Sequence, residues 1–130
     1  MNYRRQLGSA SCPFCEPQDP SDVIETTPHF YVRKNKFPYD VWEMRSVVEH
    51  LMVIPKRHVK NYAELTLIEQ AELMTVLATY QSTGYDVYAR SDSSTQLTVP
   101  NHQHSHLIKT NPKRGVFSLI LKKPYLLIKL

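Results

Sequence analysis

The 130-residue sequence predicts an α+β domain. Three observations carry that prediction. Short apolar runs of strand length are separated by Pro, Asn and Asp turn signals. One segment has helical periodicity behind a clear N-terminal cap. A third stretch alternates histidine with other residues, the period of a β-strand. Hydrophobic residues make up 42% of the chain, which fits a globular core rather than a disordered chain. The expected organisation is a flexible leader over residues 1–11 and a single domain over residues 12–130.

The elements follow in order. Cys12-Pro13-Phe14-Cys15 reads as a tight knuckle, followed by the polar, Pro-rich loop Glu16 to Ser21. His29 to Arg33 reads as a strand, ended by turn chemistry over Asn35 to Asp40. Val41 to Glu49 has no clean period and reads as a loop. Leu51 to Ile54, closed by Pro55, is a short apolar run of the kind found in buried strands. Thr66 and Glu69 form a T-x-x-E capping box that opens the helix. Leu67, Ala71, Met74, Leu77 and Ala78 are assigned to its core face, with Glu69, Glu72, Thr75 and Thr79 opposite. Gly84 is its stop signal. Tyr85 to Ala89 returns to strand character, and Ser91 to Thr95 is a polar loop. The histidine strand follows Pro100. Val116 to Leu121 and Tyr125 to Ile128 are two further strands, and the sheet is expected to be mostly antiparallel.

Charge and cysteine content narrow the function classes. The net charge of +4 favours anionic ligands such as phosphates, but the basic residues are too dispersed to demand nucleic acid. No strand carries an aromatic-basic RNA-binding motif, which leaves an RNA-binding protein the weakest reading. Two cysteines exclude a framework of several disulfides. The first residues lack the apolar core of a signal peptide, and no apolar stretch is long enough to span a bilayer as a helix. The expected location is the cytoplasm, with no membrane partner.

Two motifs carry chemistry. Cys12 and Cys15 form a Cys-x-x-Cys pair, whose tight turn can bring two thiolates to one tetrahedral zinc. The alternative is a pair of buried or redox-active thiols, though the Pro-rich segment after Cys15 argues against a thioredoxin-like motif. A structural zinc needs two more ligands, and His58 and His102 are the obvious candidates.

The second motif is His102, His104 and His106, three of the six histidines in the chain. On a strand all three imidazoles share one face. Imidazole can ligate a metal, shuttle protons or attack phosphorus near neutral pH. A single strand supplies a three-histidine metal site awkwardly, so the roles are expected to divide. One histidine would serve a structural metal, one would be a nucleophile and one would contact phosphate or the leaving group. His29 has no motif around it and is read as a surface or strand-edge residue.

The run His102-Gln103-His104-Ser105-His106-Leu107-Ile108, preceded by His50-Leu51-Met52-Val53-Ile54-Pro55-Lys56-Arg57-His58-Val59, resembles the histidine triad (HIT) superfamily. Cys12-Pro13-Phe14-Cys15-Glu16 is similar to its zinc-containing bacterial branch. Asn35-Lys36-Phe37-Pro38-Tyr39 resembles the branch that handles dinucleoside polyphosphates. The matches run in register over roughly residues 12 to 108. The resemblance implies a five-stranded antiparallel sheet with one long helix packed on it, usually as a homodimer. It implies a nucleotide-binding hydrolase or nucleotidyltransferase acting at the α-phosphate. His104 would be the nucleophile that becomes nucleotidylated. His106 would contact phosphate or assist the leaving group, and His50 would stand beside the phosphate. Asn35 would hydrogen-bond the ribose region, and Thr98 would stand in for a phosphate-binding hydroxyl. His102 would join Cys12, Cys15 and His58 around a structural Zn²⁺. A second reading, from another class, is a zinc-stabilised nucleotide-binding module without turnover.

The sequence also departs from the family pattern. Gln103 and Ser105 are polar where apolar residues are usual, so that face is either wetter or supplies buried partners. Residues 40–49 replace a short turn and carry the only Trp; a surface loop is the expectation, a substrate lid or base-stacking contact the alternative. Ser91 to Gln96 replaces a Gly-rich loop, and Pro100-Asn101 shifts the spacing between Thr98 and the histidines.

Overall fold

Strand parity sorts the side chains of this protein onto two faces of one antiparallel sheet. The computed structural model describes residues 12–94, 99 and 101–112. Among them run β1 (Val23–Thr26), β2 (Phe30–Lys34), β3 (Val41–Trp42), β4 (Arg45–Pro55), a 3₁₀ turn (Tyr62–Glu64), α1 (Leu67–Gln81), β5 (Asp86–Tyr88) and β6 (Ser105–Thr110). The strand order is β1-β2-β4-β6-β5, with β3 paired to β4 off that path. All the pairings are antiparallel. This is the expected α+β architecture: five strands in line, a small extra hairpin and one main helix. The leader, Thr98 and the two C-terminal strand expectations lie outside the described residues.

One face carries Phe30, Val32, Leu51, Val53 and Leu107, which pack with Leu73, Val76 and Leu77 of α1 into the larger core. The other face carries Tyr31, Met52 and Ile54, which pack with Phe14 and Val99. Consecutive residues of β4 thus serve opposite faces, so Leu51 to Ile54 reads as an unbroken apolar run.

The helix begins as expected. The Thr66 hydroxyl accepts from Glu69 N–H at 3.1 Å, and the Glu69 carboxylate accepts from Thr66 N–H at 2.8 Å. It ends through Gly84, at φ +101°, where the Tyr85 N–H reaches back to the Tyr80 carbonyl at 3.3 Å. Its core face, however, differs from the expectation. Leu73, Val76 and Leu77 are buried, whereas Leu67 is 82% exposed, Met74 is 64% exposed, and Ala71 and Ala78 also face solvent. Only Leu77 of the expected set is buried. Apolar residues occur on both sides of this helix, so periodicity alone admits more than one face. The capping carboxylate settles the rotation. Glu69 is 3% exposed because Arg57 of the preceding loop clamps it, with 2.7 and 3.2 Å contacts to its two oxygens. The guanidinium and the capping N–H hold its carboxyl down at about 2. Glu72 is not a free surface acid either: it accepts from the Thr27 hydroxyl at 2.6 Å and pairs with His29 Nδ1 at 2.8 Å.

Residues 41–49, expected as a loop, form β3 and the start of β4. Val41 pairs with Ser46 and Trp42 with Arg45, leaving a two-residue turn, Glu43-Met44. Both turn residues have positive φ, 52° and 63°, the signature of a type I′ hairpin. That turn ordinarily announces itself by Asn-Gly, and its absence here hides the hairpin from the sequence.

Candidate functional site

Two constellations adjoin on the face of the sheet opposite the helix. The first gathers Cys12, Cys15, His58 and His102, whose ligand atoms all lie within 4.8 Å of one another. The knuckle closes through a Cys15 N–H to Cys12 carbonyl bond of 2.9 Å. Cys12 Sγ lies 3.3 Å from His102 Nδ1, Cys15 Sγ 3.2 Å from His58 Nδ1, and the two imidazole Nδ1 atoms are 3.1 Å apart. Ligands around a tetrahedral metal at ordinary Zn–N and Zn–S lengths stand roughly 3.3–3.8 Å apart. The four donors are therefore close enough to hold one metal ion. His102 Nε2 donates to the Pro55 carbonyl at 2.8 Å, which leaves the Nδ1 lone pair for ligation. Burial also keeps this imidazole neutral, with its pKa down at about 4.

The second constellation is the remaining histidines. Strand β6 begins at Ser105, so His102 and His104 stand just ahead of it rather than inside it. The chain is still held against the body there, by a Gln103 N–H to Val59 carbonyl bond of 2.7 Å. The rings of His104 and His106 have centroids 5.2 Å apart, while His102 turns its Nδ1 to the cysteines. Pairing of Met52 with His106, and of His50 with Ile108, brings His50 of β4 beside His106. His50 Nε2 lies 2.8 Å from His106 Nδ1.

Backbone partners decide which nitrogens carry protons. His104 Nδ1 faces the His102 carbonyl at 3.0 Å, an acceptor only, so Nδ1 carries the hydrogen and Nε2 keeps its lone pair. Tyr39 N–H donates to His50 Nδ1 at 3.0 Å, so neutral His50 carries its hydrogen on Nε2 and donates to His106 Nδ1. His106 then carries its hydrogen on Nε2. The result is a lone pair on one imidazole next to an N–H on the other. All three are neutral in the physiological range. Burial lowers His50 to about 4. Burial and then the neighbouring His104 and His50 lower His106 to about 3, and burial lowers His104 as well.

His104 and His106 line a cavity of about 580 Å³, within the range of small-molecule sites. Phe14, Phe37, Met52 and Val99 give it an apolar wall, and Arg33, Lys36 and Arg90 bring positive charge. Phe14 links the two constellations. It sits between the two cysteines and meets His102 and His104 edge-on, with centroids 5.6 and 5.0 Å away. Asn35 also lines the cavity. Its side-chain oxygen accepts from Phe37 N–H at 2.8 Å, and its amide nitrogen lies 3.3 Å from His50 Nε2.

Sequence reasoning missed Phe14, Tyr39 and Arg90 as site residues. Phe14 was readable only as the spacer of the knuckle. Tyr39 packs over His50 and His106, with centroids 4.4 and 5.8 Å away, and Trp42 stacks on Tyr39 at 6.2 Å. Trp42 is held in turn by its indole N–H to Asp86 at 3.0 Å. The hairpin therefore buttresses the histidine pair. The polar residue at 105 found a partner that is itself exposed: Ser105 is fully buried, and its hydroxyl lies 2.7 Å from that of Tyr62.

No protein-family model matches the chain, and no curated protein matches it. Solved structures do match in fold. One is a HIT family hydrolase from Legionella pneumophila, 19% identical, TM-score 0.57, over 79% of this chain and 94% of that one. Another is a Plasmodium falciparum diadenosine triphosphate hydrolase, 19% identical, TM-score 0.56, over 78% of this chain and 70% of that one. A third is a hypothetical histidine triad nucleotide-binding protein from Sulfolobus tokodaii, 25% identical, TM-score 0.57, over 78% and 70%. The chain has the α+β fold of the histidine triad proteins. Among the described residues, no helix is long and apolar enough to cross a membrane.

Proposed function

We propose that this protein is a nucleotide hydrolase or nucleotidyltransferase acting at the α-phosphate of a dinucleoside polyphosphate or a nucleoside phosphoramidate. The observation that carries the reading is His104: neutral, its Nδ1–H fixed on the His102 carbonyl, its Nε2 left to a nucleotide-sized cavity beside His106. The His104 Nε2 lone pair forms the N–P bond. The P–O or P–N bond to the leaving group breaks with its electron pair; the departing atom takes up a proton from solvent, and the His106 Nε2–H supplies a hydrogen bond to it. Water or another acceptor then attacks phosphorus and gives up its proton to solvent, the N–P bond breaks, and His104 regains its lone pair. The apolar wall suits a base, and Asn35 is assigned to the ribose region. Thr98 is carried only by the resemblance.

Zinc is the proposed metal, held by Cys12, Cys15, His58 and His102. Four protein donors leave no open position, so its role is structural: it clamps the knuckle, and with it Phe14, to the sheet. On the same resemblance the working assembly is a homodimer in the cytoplasm, where reducing conditions keep the cysteines as thiols or metal-bound thiolates.

The test combines turnover with covalent trapping. Diadenosine triphosphate and adenosine 5′-phosphoramidate are offered to the wild type and to His104→Ala. Mass spectrometry should find a nucleotidyl group on His104, and the variant should lose about a thousandfold or more in kcat while its melting curve survives. Unchanged turnover in His104→Ala would sink the mechanism. Nucleotide binding with neither product nor label would favour a binding module without turnover.

A further inference from the structure

We propose that Trp42 is a positioning residue: acting through Tyr39, it fixes which ring nitrogen of His50, and hence of His106, carries the hydrogen. The kinetic part of the inference rests on the reaction proposed above; the tautomer of the pair does not. His50 Nε2 and His106 Nδ1 lie 2.8 Å apart, and two neutral imidazoles can share one hydrogen in either direction. If His50 donates, His106 holds its own hydrogen on Nε2. If His106 donates, its Nε2 is left bare and can only accept. Two neighbours pull in opposite senses. The Tyr39 N–H meets His50 Nδ1 at 3.0 Å and favours the first arrangement. The Asn35 side-chain amide, oriented by the bond from Phe37 N–H to its oxygen, approaches His50 Nε2 at 3.3 Å and favours the second. The pair is therefore poised, and the placing of the Tyr39 N–H tips it.

Tyr39 is held from outside by Trp42. The rings of His106, Tyr39 and Trp42 form a stack: Tyr39 lies 5.8 Å from His106 at 22° and 6.2 Å from Trp42 at 20°. The indole is fixed in turn. Its N–H donates to Asp86 of β5 at 3.0 Å, and its ring lies 5.1 Å from that of Tyr88 on the same strand. Trp42 belongs to β3, which pairs with β4, whereas β5 lies beyond β6. The side chain thus reaches across the strand that carries His106. The turn that presents it is short and strained: Glu43 and Met44 hold φ of 52° and 63° without glycine's freedom. The Tyr39 hydroxyl accepts from Arg90 at 2.9 Å, so the ring is gripped at its face and at its tip. With a smaller side chain at 42 the face contact is lost, the Tyr39 N–H moves off Nδ1, and the Asn35 amide gains.

The test is long-range ¹H–¹⁵N NMR of the full chain labelled with ¹⁵N-histidine, near neutral pH, in the wild type, Trp42→Leu, Trp42→Phe and Asp86→Ala. In the wild type His50 and His106 should each show a hydrogen on Nε2 and a bare Nδ1. In Trp42→Leu the two nitrogen resonances of each ring should draw together, as for exchanging tautomers. Its kcat on diadenosine triphosphate should fall about tenfold or more at unchanged KM, part of what a positioned proton donor supplies. Trp42→Phe, which keeps an aromatic face, should restore most of both. Asp86→Ala should red-shift the emission of Trp42, the only tryptophan, and also mix the tautomers. A folded Trp42→Leu whose ring nitrogens match the wild type overturns the proposal. So does a raised KM at unchanged kcat, which would make the indole a substrate contact. Should Trp42→Leu fail to fold, unchanged ring nitrogens in a red-shifted Asp86→Ala overturn it. A wild type without turnover refutes only the proposed reaction, and the ring nitrogens still decide the role of Trp42.

Discussion

Acidification should unfold this protein earlier than its carboxylates alone would, because His50 and His106 are buried as neutral imidazoles. Their relative exposures are 4% and 6%. In the folded protein their pKa values fall from 6.5 to about 4 and about 3. A folded-state value below the unfolded one means that the unfolded chain takes up protons first as pH falls. Stability from these two groups is therefore complete above pH 6.5 and is withdrawn as pH drops toward 4 and then 3. One unit is worth about 1.4 kcal/mol, so by pH 5 each imidazole has withdrawn about 2 kcal/mol, or about 4 kcal/mol for the pair. For a domain of this size that corresponds to a fall in Tm of roughly 12–20 °C between pH 7.5 and pH 5. Melting curves by circular dichroism over that range read the effect. A His50→Gln, His106→Gln double variant removes the two titrations, and its Tm should fall much less steeply with acid even if its starting Tm is lower. Equal slopes in the two proteins would refute the reasoning. So would ring-proton resonances of His50 and His106 that titrate near 6.5.

Two further expectations concern the groups around that pair. Tyr62→Phe removes the partner of the fully buried Ser105 hydroxyl and should cost about 1–3 kcal/mol in chemical denaturation. The cost should vanish in a Ser105→Ala background, and a cost that persists there assigns it to Tyr62 itself. Cys12→Ser should lower both bound zinc and Tm, and should weaken nucleotide binding because Phe14 belongs to the cavity wall. A zinc-free variant of unchanged Tm contradicts a structural metal.

The legible parts of the site were those written in short-range pattern. The alternation of His102, His104 and His106 reads as one strand, but β6 begins at Ser105, so only His106 lies in it; the rings of His104 and His106 do stand together. The Cys-x-x-Cys spacing correctly identified a knuckle, and the four expected ligands do lie together. The hairpin at 41–46 escaped because Glu43-Met44 adopts positive φ without Gly or Asn. The helix face escaped because a charged residue, Glu69, occupies a buried position that is tolerable only with Arg57 against it.

The sequence by itself determined the α+β class, the capping box, the strand parity and the chemistry of the donor set, because each depends on residues a few positions apart. Tertiary structure decided everything that needs strands to find their register. Pairing β4 with β6 places His50 against His106 across 56 residues, and docking the knuckle places Cys12 against His102 across 90. The β5–β6 register places Tyr88 opposite His106, and the Arg57–Glu69 clamp sets the rotation of α1. No local period encodes those distances. They follow from which apolar faces can be buried together, and that is a property of the folded chain as a whole.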